Sequence, residues 1–109
     1  MDILPYRYVT PSGEAVSFEF GLHPETGSAM RVQQLLDRLV ETLDNEIGIL
    51  GDTCNGDVLQ ALAMALAVRT EMIPADPELT RGLAREVVER ALKSLAEAQH
   101  QQTGPVGHA

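Results

Sequence analysis

The chain has 109 residues, 44% of them apolar and 22% charged, which excludes disorder throughout and suits one domain able to bury a core. Sixteen acidic residues against eight basic ones give a formal charge of −8 with no basic stripe, so direct nucleic-acid binding and docking on an anionic membrane are not expected. Charge of this kind keeps a surface soluble; its sharper use is an acidic face turned toward a basic partner, as in a nucleic-acid mimic or inhibitor protein.

Cys54 is the only cysteine, so no internal disulfide can form, which fits a reducing compartment. Residues 1–5 carry neither a basic n-region nor an apolar h-region, and no secretory signal is expected. The longest charge-free apolar stretch, residues 58–68, is too short to span a bilayer. The expected location is cytoplasmic.

Residues 3–22 read as a hairpin. Leu4, Tyr6 and Tyr8 alternate with Pro5, Arg7 and Val9, and Val16, Phe18, Phe20 and Leu22 alternate with Ser17, Glu19 and Gly21. Thr10-Pro11-Ser12-Gly13 between them has turn chemistry, with glycine free to take positive φ at the exit. Pro5 cannot donate to a ladder, so the first strand is expected at an edge or to start after it. All four aromatic residues, Tyr6, Tyr8, Phe18 and Phe20, lie in this hairpin, which predicts cross-strand aromatic pairing. A two-stranded hairpin is unstable alone, so it must lean on the helices or pair with another subunit.

The first helix is expected from Ser28, an N-cap residue type. Val32, Leu35, Leu36, Leu39, Val40, Leu43 and Ile47 form one apolar face, and Arg31, Gln34, Asp37, Arg38, Glu41 and Asp44 take the other side. Gly48 and Gly51 mark its end. The second helix, before Pro74, contains residues 58–68, of which only Gln60 is polar. A helix apolar all round is buried all round. The third opens on Asp76-Pro77, an N-cap followed by proline at the first helical position, and its stripe includes Leu79, Leu83, Val87, Leu92 and Leu95. Glu86 with Arg90 and Glu89 with Lys93 are i,i+4 pairs on its exposed side.

The expected fold class is α+β, mostly α: an N-terminal β-hairpin followed by a three-helix bundle with the second helix central and buried. Residues 1–100 form a single domain, with the hairpin at about 3–22 and helices at about 28–48, 54–73 and 77–100; residues 101–109 are a flexible tail.

The residues that could carry chemistry do not assemble into a motif. Cys54 sits in the turn 51–57, near a helix N-terminus, but Asp52 and Asp57 flank it and oppose a thiolate, so it reads as an unreactive small residue. That turn is not a calcium loop, because Cys54 holds a ligand position and residues 58–63 offer no distal glutamate. His23, His100 and His108 lie in a loop, a helix end and a tail, and there is no HExxH, CxxC or Gly-rich phosphate loop.

Asp37, Glu41 and Asp44 share a face of the first helix, and Glu86 and Glu89 stand at i,i+3 on the third. Facing carboxylates can hold divalent metals. The pattern resembles that of all-α nucleotide pyrophosphatases, but the second helix adds only Glu71 and no basic phosphate-binding cluster is present. Charge alternation along a helix usually means exposure, and Arg90 and Lys93 offer Glu86 and Glu89 ordinary partners, so solvated helix faces are the expected reading of these acids.

No catalytic residue, metal ligand or cofactor is therefore assigned. The second helix lacks a polar side, so something must cover it, and obligate homodimer interfaces resemble a core cut in half. The reading is a non-enzymatic protein-interaction or regulatory module acting as a homodimer, with Tyr6, Tyr8, Phe18, Phe20, Leu62 and Leu66 at or near the interface; a permanent protein partner would serve equally. The alternatives are a small metal-dependent nucleotide or phosphate-ester hydrolase using Glu41, Asp44, Glu86 and Glu89, and an acidic nucleic-acid mimic.

Overall fold

The structure, a computed structural model, describes residues 2–102. It is α+β, with three α-helices and one small antiparallel sheet. In chain order the elements are β1 (Ile3–Val9), β2 (Glu14–Gly21), α1 (Ala29–Leu50), α2 (Asn55–Glu71), α3 (Pro77–Lys93), a 3-10 turn (Ser94–Glu97) and β3 (Gln99–Gln102). The chain divides into two units, one of Met1–Ala29 with Val87–Ala109 and one of Met30–Glu86.

In the first unit, the turn at residues 10–13 closes the hairpin. The Gly13 N–H donates to the Thr10 carbonyl at 2.9 Å and the Thr10 N–H to the Glu14 carbonyl at 2.8 Å. Thr10 Oγ1 also accepts the Glu14 N–H at 3.0 Å. Gly13 exits at φ 95°, which a residue without Cβ adopts freely. The resulting register pairs Leu4 with Phe20, Tyr6 with Phe18 and Tyr8 with Val16. These residues therefore share one face. The Phe18 and Phe20 rings stack at 4.9 Å, and the Tyr6 ring lies 6.4 Å from each. Leu4 and Tyr6 are buried to 6% exposure and Ala15 to 1%.

The hairpin finds its third strand in its own chain. The sheet order is β1-β2-β3, with β3 antiparallel to the first half of β2, so that Val16 lies opposite His100. The 3-10 turn lies beside β2, where the Ser94 hydroxyl accepts the Gly21 N–H at 3.3 Å and donates to the Arg90 carbonyl at 3.0 Å. A single helix over 77–100 is thus corrected: the α-helix stops at Lys93 and the chain turns extended at Ala98 (ψ 139°). The physical reason is non-local, because β2 needs backbone partners along its second edge. Of the expected tail at 101–109, Gln101 and Gln102 belong to β3, and residues 103–109 lie outside the described residues. β1 is an edge strand with Pro5 inside it.

In the second unit, α1 runs through Gly48 and ends at Leu50. Gly51 follows at φ 86°, and its N–H donates to the Ile47 carbonyl at 3.0 Å, a left-handed cap. α3 starts where Asp76 Oδ1 accepts the Glu78 N–H at 3.0 Å, as an N-cap should. The two buried residues here are Thr70 and Thr80, whose hydroxyls donate to the carbonyls of Leu66 and Pro77 in their own helices.

The expected burial of α2 at the centre of a three-helix bundle is not found within the Met30–Glu86 unit, where the large side chains of α2 stand exposed. A bundle of three gives every helix an outer side in water. α2 has no polar side to place there, so closing such a bundle would not satisfy it.

Gly51 tests the cap that separates α1 from α2. A Cβ at Gly51 or at Gly27 would meet nothing within 4 Å, but only Gly51 has positive φ. Gly51→Ala is expected to lower stability by about 1–2 kcal/mol through backbone strain alone, whereas Gly27→Ala should change it little; urea denaturation at one fixed protein concentration reads both.

Candidate functional site

The unit of Met30–Glu86 presents its apolar side chains to the surroundings. On α1, Val32, Leu36, Val40, Leu43 and Ile47 are half-buried, while Leu35 and Leu39 are 57% and 58% exposed. The spacing of three and four places all of these on one broad side, opposite Asp37 and Glu41. Ile49 and Leu50, at the end of α1, are exposed as well.

α2 carries the larger burden. Leu59, Met64 and Val68 are about two-thirds exposed, and Leu62 and Leu66 are more than one-third exposed. At about 100° per residue, Leu59, Leu62 and Leu66 fall on one side, and Met64 and Val68 on the opposite side. On α3, Leu79 is exposed whereas Leu83 and Val87 are half-buried. Arg81 of α3 reaches Glu71 of α2 at 3.7 Å across the turn between them, an exposed ion pair of small energetic weight.

The other sequence candidates fall elsewhere. Tyr6, Phe18 and Phe20 form the ring cluster of the sheet, with Tyr8 half-buried on the same face. Leu62 and Leu66 lie on the uncovered helix. As for Glu41, Asp44, Glu86 and Glu89, among the described residues no three His, Cys, Asp or Glu side chains come together as metal ligands would.

His23 organises its own loop, its Nδ1 accepting the Glu25 N–H at 3.0 Å. His100 Nδ1 lies 2.8 Å from Glu14 Oε2, a diagonal pair across β2 and β3. His108 lies outside the described residues. A shallow hollow of about 460 Å³ on the sheet is lined by Tyr6, Arg7, Phe18, Glu19, Glu97 and Gln99 among others, and opens to solvent. Among the described residues no helix is long and apolar enough to cross a membrane.

Sequence reasoning singled out Leu62 and Leu66 but missed Leu59, Met64, Val68 and Leu79. The signal was present in the even spread of apolar residues around α2. That spread identifies a surface that needs cover without identifying a face. No family model matches the chain, and no curated protein or solved structure matches it.

Cys54 is the N-cap of α2 and is exposed. Its carbonyl accepts the N–H groups of Asp57 and Val58 at 3.0 and 3.3 Å, but its side chain makes no capping bond. Cys54→Ser should therefore supply a missing cap and raise stability by about 0.5–1 kcal/mol, measured by denaturation.

Proposed function

We propose that the chain is a non-enzymatic protein-interaction or regulatory module of the cytoplasm that works as a homodimer. The observation that carries this reading is the Met30–Glu86 unit, in which no apolar residue is fully buried and the large side chains of α2 are exposed. Burying a leucine-sized side chain is worth roughly 1.5–3 kcal/mol. The exposed large residues of α2 alone therefore forgo on the order of the whole stability of a domain, 5–15 kcal/mol.

Obligate homodimer interfaces resemble a domain core cut in half, and a second copy supplies the missing half. The helices then complete their bundle with a second copy, and α2 becomes central and buried in the pair. Leu62 and Leu66 lie in this interface. Tyr6, Tyr8, Phe18 and Phe20 are proposed to contact the second copy as well.

Sedimentation at micromolar concentration should give twice the mass of one chain, and a single-chain mass would refute the dimer. Leu62→Glu and Leu66→Glu each remove a buried leucine and force a carboxylate into the interface. Each should weaken association by at least about 100-fold, about 2.7 kcal/mol. Glu41→Gln, on the polar side of α1, should leave the mass unchanged.

A further inference from the structure

We infer that Asn55 is a site of spontaneous covalent modification, deamidating by attack of the Gly56 backbone nitrogen on its side chain. Asn55-Gly56 is the one Asn-Gly step in the chain, and both residues are exposed. In the reaction the Gly56 nitrogen loses its proton and bonds to the side-chain carbonyl carbon of Asn55. The bond from that carbon to the amide nitrogen breaks, ammonia leaves, and a cyclic imide remains. Water then opens the imide at either carbonyl, giving aspartate or isoaspartate. The attack requires a backbone N–H outside the helical hydrogen-bond ladder, an unshielded nitrogen, and a turn that can open.

The start of α2 supplies each of these. Asn55 is its first residue, so the Gly56 N–H lies in the first turn, where no earlier carbonyl of the helix can accept it. The N–H groups that reach the Cys54 carbonyl are those of Asp57 and Val58, and Gly56 comes one residue too soon to join them. Gly56 has no Cβ to shield its nitrogen. The Cys54 side chain makes no capping bond, so the turn lacks the clasp that an N-cap hydroxyl or carboxylate would give it. Asn45, the other asparagine, is the contrast. It is exposed too, but it lies inside α1, where helix geometry directs the N–H of Glu46 to the Thr42 carbonyl one turn back. Conversion of Asn55 adds one negative charge at the start of α2. Aspartate there suits the positive end of the helix dipole. Isoaspartate routes the main chain through the former side chain and interrupts the first turn.

The test is to hold the full chain at mildly alkaline pH, in buffer and in guanidinium chloride, and to follow the peptides carrying Asn45 and Asn55 by mass spectrometry. Isoaspartate is read by its enzymatic methylation. Helix ends open at a free-energy cost near zero, so Asn55 should convert in buffer within about 10-fold of its rate in denaturant. Isoaspartate should be among the products, and Asn45 should stay intact in buffer. Gly56→Ala introduces a Cβ that would meet the Cys54 Sγ at 3.7 Å, an ordinary contact, so this variant should keep the helical signal and lose most of the conversion. Asn55 that stays intact in buffer while converting in denaturant would overturn the inference. So would conversion of Gly56→Ala at the original rate, or conversion of Asn45 in buffer as fast as Asn55.

Discussion

A helix must lose its apolar side chains from water or forfeit the free energy that makes it fold. α2 states this demand in its strongest form. From Val58 to Val68 it offers water one polar side chain, Gln60. Within the Met30–Glu86 unit the demand is not met, because Leu59 and Met64 stand exposed on opposite sides of α2. Hydrogen bonding gives no comparable reason for association. Within each helix the backbone pairs with itself, and Gly51 and Asp76 supply partners at the end of α1 and the start of α3.

The sheet solves the same problem locally. Its apolar residues alternate, so one face can be dry while the other stays wet. Stacked rings of Phe18 and Phe20 with Tyr6 against them concentrate burial on few residues. The third strand has no apolar residue to bury. Gln99, His100, Gln101 and Gln102 contribute backbone pairing to β2. The Ser94 hydroxyl then joins the helix carbonyl of Arg90 to the strand N–H of Gly21, which ties the end of α3 into this unit.

Legibility in the sequence tracked the range of the signal. The Thr10–Gly13 turn, the Tyr6–Phe18 pairing, the Asp76 cap and the three helices are all written in near neighbours, where period and turn chemistry decide. β3 was not legible, because a polar Gln-rich segment acquires strand character only from the β2 edge about 85 positions earlier. The same limit applies to α2. Its composition says that it must be covered, but which chain covers it is a matter of tertiary or quaternary contact. The acidic residues show the limit from another side: Glu41 with Asp44, and Glu86 with Glu89, are helix neighbours by spacing, yet sequence cannot say whether the two pairs meet. Within the described residues of one chain no metal-ligand group of three forms from them.

Association of this kind also constrains where any further partner can bind. In the proposed dimer the apolar sides of the helices are spent on the second copy. What remains outside is the polar side of α1, with Asp37, Glu41 and Asp44, and that of α3, with Glu86 and Glu89 beside Arg90 and Lys93. Such a surface recognises by charge and hydrogen bonding, which gives selectivity and speed of encounter more than raw affinity. The apolar helix and the acidic surface then have separate tasks. The first makes the dimer, and the second sets which molecules can approach it. The chain's excess of carboxylates is consistent with that division, because an interface built from uncharged α2 residues leaves the acidic side chains where water can solvate them.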